Sequence, residues 1–282
     1  MTMHNAPIGV FDSGIGGLSI LKALRAAMPA ERFVYFADSA YNPYGVKTEE
    51  FVRERSIAIV RELVDEHQIK ALVVACNTAT AAAVSTLRAR WPLLPIIGVE
   101  PALKTAALAT RSGRVLVLAT RGTLQSEKFT LLKEKLESEH AGWADKHRSA
   151  LHFTCVPCDG LADRIEALSR HGRDGQDTPD LIAACASFMP ASSSFHSKND
   201  EKNVGFDTLV LGCTHYPLIR EVFQTLAGDA VTIVDNAEPV ALRTMQLLKD
   251  ARAAVDQAGG VTWRSSADKA QLVQAAQYWC IG

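Results

Sequence analysis

Leu72-Val73-Val74-Ala75-Cys76-Asn77-Thr78 and Leu209-Val210-Leu211-Gly212-Cys213-Thr214-His215 are two versions of one junction. In each, an apolar run of strand length ends at a cysteine, small polar residues follow, and an amphipathic stretch begins. A second echo joins Gly9-Val10-Phe11-Asp12-Ser13-Gly14 to Val117-Leu118-Ala119-Thr120-Arg121-Gly122-Thr123, again a strand, a turn of small residues and a helix start. Between these junctions the same alternation recurs. Ile8 to Phe11 precedes Leu18 to Met28, Phe33 to Phe36 precedes Glu49 to Glu66, and Ala71 to Ala75 precedes Ala79 to Arg90. Val115 to Ala119 with Leu124 to Leu136, and Leu209 to Leu211 with Leu218 to Leu226, continue it. Short apolar strands alternating with helices predict an α/β fold with mostly parallel sheets flanked by helices. The paired junctions predict two halves of related design, although short likenesses of this kind also arise by chance. A length of 282 residues is enough for about two domains.

Composition excludes several classes of function. Thirty Lys+Arg against thirty-one Asp+Glu leave a net charge of -1, so there is no basic field to hold nucleic acid or an anionic membrane. The longest uncharged stretch, Ala71 to Leu87, is broken by Asn77, threonines and Ser85 and makes a poor membrane span. Met1 to Gly9 has no basic and apolar leader pattern, and the expected compartment is the cytoplasm. Six cysteines in a chain of this length are too dilute for a disulfide scaffold and are expected as thiols. His171 to Pro179 and Pro190 to Gly205 lose periodicity and are expected as polar surface loops.

A cysteine at the carboxyl end of a parallel strand, ahead of a helix, sits near unpaired N–H groups that favour its thiolate. In open α/β sheets this edge is also where ligands bind. Cys76 and Cys213 are therefore candidate acid–base or nucleophilic groups, against the commoner fate of a cysteine as a small buried hydrophobe. Asp12-Ser13-Gly14-Ile15-Gly16-Gly17 opens the first helix with a turn able to point N–H groups at an anion. It is neither a dinucleotide fingerprint nor a phosphate loop. Asp12 reads as a helix cap or as the partner of an ammonium group. His215 reads as a tuner of Cys213 or as a buried structural histidine, and the remaining histidines form no i, i+4 pair, so no metal site is expected. Cys155-Val156-Pro157-Cys158 admits a thiol redox or zinc module, though no second ligand pair accompanies it.

Taken together in order, Asp12-Ser13-Gly14-x-Gly16-Gly17, Pro43-Tyr44-Gly45, Ala75-Cys76-Asn77-Thr78-Ala79, Ala119-Thr120-x-Gly122-Thr123 and Gly212-Cys213-Thr214-His215-Tyr216-Pro217 resemble the cofactor-independent glutamate racemases of the aspartate/glutamate racemase family. The resemblance covers nearly the whole chain. It implies two pseudo-symmetric α/β domains, 1–98 with 232–282 and 99–231, with an active site in the cleft between them. It further implies a two-base 1,1-proton transfer that needs no cofactor, supplying D-glutamate for peptidoglycan. By the same resemblance Cys76 works on D-glutamate and Cys213 on L-glutamate, assisted by Asp12 and His215. Ser13, Tyr44, Gly45, Asn77, Thr78, Thr120, Thr123 and Thr214 would hold the substrate, Glu166 would stand for a buried glutamate of the relatives, and a homodimer would be the assembly. The segment from Thr154 to Asp163 fits the family poorly, and 171–205 is longer and more polar than usual. Two alternatives remain at this point: an aspartate or other amino-acid racemase of the same family, and the redox or zinc module at Cys155 and Cys158.

Overall fold

The structure is a computed structural model that describes residues 5–143, 150–171, 178–189, 205–249, 251 and 258–281. Its strands are β1 (Ile8–Asp12), β2 (Arg32–Ala37), β3 (Ala71–Val74), β4 (Ile96–Gly98), β5 (Arg114–Ala119), β6 (His152–Pro157), β7 (Thr208–Leu211), β8 (Thr232–Val234) and β9 (Gly260–Ser265). The helices are α1 (Leu18–Ala27), α2 (Glu49–His67), α3 (Asn77–Arg90), α4 (Leu103–Ala109), α5 (Arg121–Leu124), α6 (Glu127–Glu139), α7 (Leu161–His171), α8 (Thr178–Ser187), α9 (Arg220–Ala227), α10 (Ala237–Leu247) and α11 (Lys269–Tyr278).

Two sheets result, ordered β4-β3-β1-β2-β9 and β6-β5-β7-β8, and every pairing is parallel. Read from the other side, the second order is β8-β7-β5-β6, the same path as β4-β3-β1-β2 with each strand number raised by four. The two halves of the chain thus repeat one topology, as the paired junctions predict. Parallel strands are covered on both faces and carry unbroken apolar runs. Accordingly β1, β3 and β7 are buried along their whole length, and β5 from Val115 onward.

The chain divides into two compact units. The first comprises Met1–Glu100, Glu166–Arg173 and Asn236–Gly282, and the second Pro101–Ile165 and Asp174–Asp235. In the first, α2 buries Val52, Ser56, Ile59, Val60 and Leu63, a one-sided stripe at helical spacing. Its start is fixed by Thr48, whose hydroxyl accepts the Phe51 N–H at 3.2 Å, with Glu49 and Glu50 in the first turn. That stripe packs with Phe11, Val34, Leu72, Val74 and Leu87 into one core. In the second, Leu103, Ala106, Val115, Val117, Phe129, Phe153 and Val210 form the corresponding core.

Two expectations need correction. The irregular stretch expected over His171 to Pro179 is narrower, because His171 closes α7 and Thr178 and Pro179 open α8. A proline in the first turn lacks an N–H that would have had no partner there. The remainder of that segment, 172–177, and nearly all of the one at Pro190 to Gly205, lie outside the described residues. The second cysteine junction also differs from the first. Cys76 directly precedes α3, whereas a 3-10 turn, Tyr216–Ile219, stands between Cys213 and α9. Pro217 sits at the start of that turn, where its fixed φ and missing N–H suit a helix opening. No helix among the described residues is long and apolar enough to cross a membrane.

Candidate active site

In the first unit the candidate side chains collect at the carboxyl ends of β1, β2 and β3. Ala75 N donates to Phe11 O at 2.7 Å, holding the ends of β3 and β1 together. That brings Cys76 beside the loop that follows Asp12. The Cys76 thiol donates to Ser13 Oγ at 3.8 Å, and its sulfur accepts the Ala79 N–H at 3.4 Å as the N-cap of α3. Asp12 is buried, and its carboxylate accepts from Ser13 N at 2.6 Å, from Ser13 Oγ at 3.2 Å and from Gly17 N. With several donors fixed upon it, this carboxylate has one orientation.

Glu166, on α7, reaches the same loop and accepts the Ile15 N–H at 3.3 Å. It is 4% exposed, and a Cβ on Gly14 would lie 2.7 Å from Glu166 Oε1, so this carboxylate would have to shift to admit one. The Tyr35 hydroxyl donates to Gly14 O at 2.9 Å. Burial first, then the charges of Asp12, Glu166 and Cys76, push the Tyr35 phenol well above its ordinary value. It keeps its proton and serves as a fixed donor. Asn77 is buried and accepts from Asn236 Nδ2 at 3.4 Å, while Thr78 is half-buried. Tyr44 belongs to the same buried cluster as Cys76 and stands edge-on to Phe11 at 6.3 Å, with Gly45 half-buried after it.

The second unit repeats the pattern at β5 and β7. Gly212 N donates to Leu118 O at 2.7 Å, the counterpart of the Ala75 bond. A Cβ on Gly212 would lie 2.9 Å from both Ala119 Cβ and Leu118 O, so glycine is what lets β7 come this close. Cys213, Thr214 and His215 are all buried. The Cys213 sulfur lies 3.8 Å from His215 Nδ1, a contact able to carry a proton either way according to the tautomer. Thr120 caps α5 by accepting the Thr123 N–H at 3.3 Å, and the two hydroxyls are 2.9 Å apart.

Cys155 and Cys158 are of a different kind. Cys155 lies within β6, and burial pushes its thiol up to about 11. Cys158 follows the strand, and burial pushes it up to about 12. Thiols held this far above neutrality are poor exchangers. Among the described residues no group of three or more His, Cys, Asp and Glu could hold a metal ion.

Sequence reasoning passed over Tyr35, Asp38 and Arg55. Asp38 stands directly after β2 as Asp12 closes β1, so its place at the carboxyl edge was the available signal. Nothing in spacing marked Arg55, seventeen residues further on within α2.

A family model described as Asp/Glu/Hydantoin racemase matches residues 10–142. A glutamate racemase of Ectopseudomonas mendocina is 40% identical over 275 residues, covering 98% of this chain and 94% of that protein. One from Stutzerimonas stutzeri is 44% identical over 245 residues, covering 87% and 83%. Among solved structures, a Bacillus anthracis glutamate racemase matches with a TM-score of 0.78 at 29% identity, covering 98% of this chain and 94% of that one. Escherichia coli glutamate racemase in complex with L-glutamate and an activator matches with a TM-score of 0.78 at 28% identity, covering 97% and 95%.

Proposed function

Since this chain belongs to the glutamate racemases of the Asp/Glu/Hydantoin racemase family, we propose that it inverts glutamate with Cys76 and Cys213 as its two proton-transfer groups. The reaction class, an isomerisation between L- and D-glutamate, follows from that membership. The assignment of the two thiols is carried by one observation. Two sheets that share one four-strand path each carry, just past a strand end, a buried cysteine with a polar helper in reach: Ser13 at 3.8 Å from Cys76 and His215 at 3.8 Å from Cys213.

The step is balanced without an added reagent. With D-glutamate bound, the Cys76 thiolate takes the Cα proton and becomes a thiol. Cys213, starting as a thiol, delivers its proton to the opposite face and becomes a thiolate, leaving L-glutamate. The return reaction exchanges the two roles. Thiols suit the task because their ordinary pKa lies near working pH, so base and acid forms are both within reach. His215 holds the proton balance at Cys213, and Asp12, fixed by its N–H donors, orients the loop and Ser13 beside Cys76. Asn77, Thr78, Thr214, the Thr120–Thr123 hydroxyl pair, Tyr44 and Gly45 supply polar groups for the carboxylates and ammonium. Donors placed to meet the charge that develops as the Cα proton leaves would supply the largest share of the acceleration. Each unit contributes one thiol, and we assign the units to the two domains of the family. In the cell we assign the product to peptidoglycan synthesis in the cytoplasm, and the assembly to a homodimer.

Incubation with L-glutamate in deuterated water, with no cofactor added and with aspartate in a parallel sample, tests this reading. The expected result is D-glutamate carrying deuterium at Cα, lost in both Cys76→Ala and Cys213→Ala but retained in Cys155→Ala. Unlabelled D-glutamate, or full turnover in either of the first two variants, overturns the two-thiol assignment.

A further inference from the structure

Behind Tyr44 lies an ion pair that the reaction as written does not use. Asp38 is fully buried, 0% exposed, and Arg55 grips it with two prongs, Nε to Oδ2 at 3.0 Å and Nη2 to Oδ1 at 2.7 Å. The Tyr44 hydroxyl donates to the same Oδ2 at 2.5 Å. The guanidinium is held from its other side by the Tyr41 ring, 4.1 Å from the centroid. Burial, followed by the charge and hydrogen bond of Asp38, raises the Tyr44 phenol far above its ordinary value, with Cys76 adding to the rise and Arg55 opposing it. Tyr44 thus hydrogen-bonds the ion pair while sharing its buried cluster with Cys76.

Two consequences follow from donor and acceptor chemistry. A phenol has one proton, and here that proton is committed to Asp38, so the Tyr44 oxygen offers only lone pairs to anything on its other side. A buried carboxylate beside a dicarboxylate substrate and a thiolate would also repel both unless it were cancelled. Arg55 is the group placed to cancel it, in the fork geometry that suits a carboxylate.

We propose that Asp38 and Arg55 are positioning residues for the Cys76 half of the site: Asp38 makes Tyr44 an acceptor toward the substrate ammonium, and Arg55 neutralises Asp38 so that thiolate and glutamate are tolerated next to it. This rests on the reading of Cys76 as a catalytic thiol. Asp12 and Glu166 act with Cys76 on the Tyr35 phenol, and Tyr41 acts on Arg55; all of these side chains but Arg55 itself remain in place in the variants that test the idea.

The experiment compares Arg55→Met, Asp38→Asn, the double variant and Arg55→Lys. It reads KM and kcat for both enantiomers and the pH profile of Cys76 alkylation by iodoacetamide, mapped by peptide mass spectrometry. Arg55→Met leaves Asp38 uncancelled, so the alkylation profile should move to higher pH by about one unit, an about tenfold loss of thiolate at a fixed pH below the midpoint. KM should rise by a similar factor. Asp38→Asn leaves Arg55 uncancelled and should move the profile to lower pH, with kcat reduced because the Tyr44 proton is released from its fixed direction. The double variant should return both the profile and KM to within about threefold of the parent by double-mutant logic. Arg55→Lys keeps the charge and should leave the profile in place, which carries the test if Arg55→Met does not fold. Shifts of the same sign in the two single variants, or a double variant no better than Arg55→Met, overturn the proposal. A parent protein without racemase activity overturns the underlying reading instead, while the alkylation measurements still decide the ion pair's effect on Cys76.

Discussion

Replacing Lys70 with methionine should unsettle this protein while leaving its chemistry intact. The Lys70 side chain is 1% exposed and Glu31, its partner at 2.6 Å, is 3% exposed. Lys70 Nζ also donates to Ala251 O at 2.9 Å. Lys70 immediately precedes β3 and Glu31 immediately precedes β2, so the pair ties the amino ends of two strands to the chain that leads into β9. Methionine preserves the bulk of the side chain but removes the cation paired with the buried Glu31 carboxylate, which costs about 3–5 kcal/mol. For a chain of this size that corresponds to a fall in Tm of about 6–10 °C. Cys76 lies at the other end of β3, about 20 Å away along the strand direction at roughly 3.3 Å per residue, so kcat per folded molecule should stay within a factor of about two by the additivity of distant sites. Urea titration and calorimetry give the stability, and an active-site titration normalises the rate. Glu31→Leu combined with Lys70→Met should recover most of the loss, because an apolar pair of similar volume can replace a buried ion pair. A single variant within about 1 kcal/mol of the parent, or a double variant worse than the single, would refute the reasoning.

Three other outcomes follow from described contacts. Gly14→Ala places a Cβ 2.7 and 2.8 Å from the two Glu166 oxygens, so it should weaken the Ile15 hydrogen bond and lower kcat. Glu166→Asp, shorter by one methylene, should restore part of it in the double variant, and steady-state kinetics on the three proteins would decide. Asp207 has its carboxyl pulled below the usual range even though burial acts the other way. It accepts from Thr110 Oγ1 at 2.5 Å, Arg111 and Ser112 N at 2.7 Å each, and Thr208 Oγ1 at 3.1 Å. A depressed folded-state pKa stabilises above the unfolded value, near 3.8, and that share is lost as pH falls through the folded value. Asp207→Asn should therefore cost about 1 kcal/mol at neutral pH, discounted for its partial exposure, and the gap to the parent should close in acid denaturation curves below that range. Cys155, held at about 11, should be about 0.1% thiolate at pH 8 and alkylate about tenfold faster for each pH unit upward. A rate that is flat from pH 7 to 9 would contradict this.

The fold was legible in the sequence because parallel strands covered on both faces need unbroken apolar runs, and Ile8 to Phe11, Ala71 to Ala75 and Leu209 to Leu211 supply them within an alternation of helices. The placement of Cys76 and Cys213 at buried strand ends was legible because each follows an unbroken apolar run directly. Long-range partners were not legible. Glu166 meets Ile15 across 151 residues of chain and Arg55 meets Asp38 across seventeen, and neither contact leaves a local signature in residue spacing. The turn between Cys213 and α9 went unread because the helical periodicity was carried back to Leu218, into the 3-10 turn that ends at Ile219. Pro179 misled in the opposite direction, since a proline that breaks a helix interior is at home in its first turn.

Cys76, the thiol we propose as reactive, is also the N-cap of α3 through the Ala79 N–H. Its position is therefore set by a backbone bond as well as by its own rotamer. An electrophile that captures this sulfur takes away the acceptor on which the first turn of α3 depends, and so couples chemical inactivation to fraying of a helix. Covalent inhibitors of this thiol should consequently be detectable at a distance from the adduct, as faster amide exchange at Ala79 and along the start of α3.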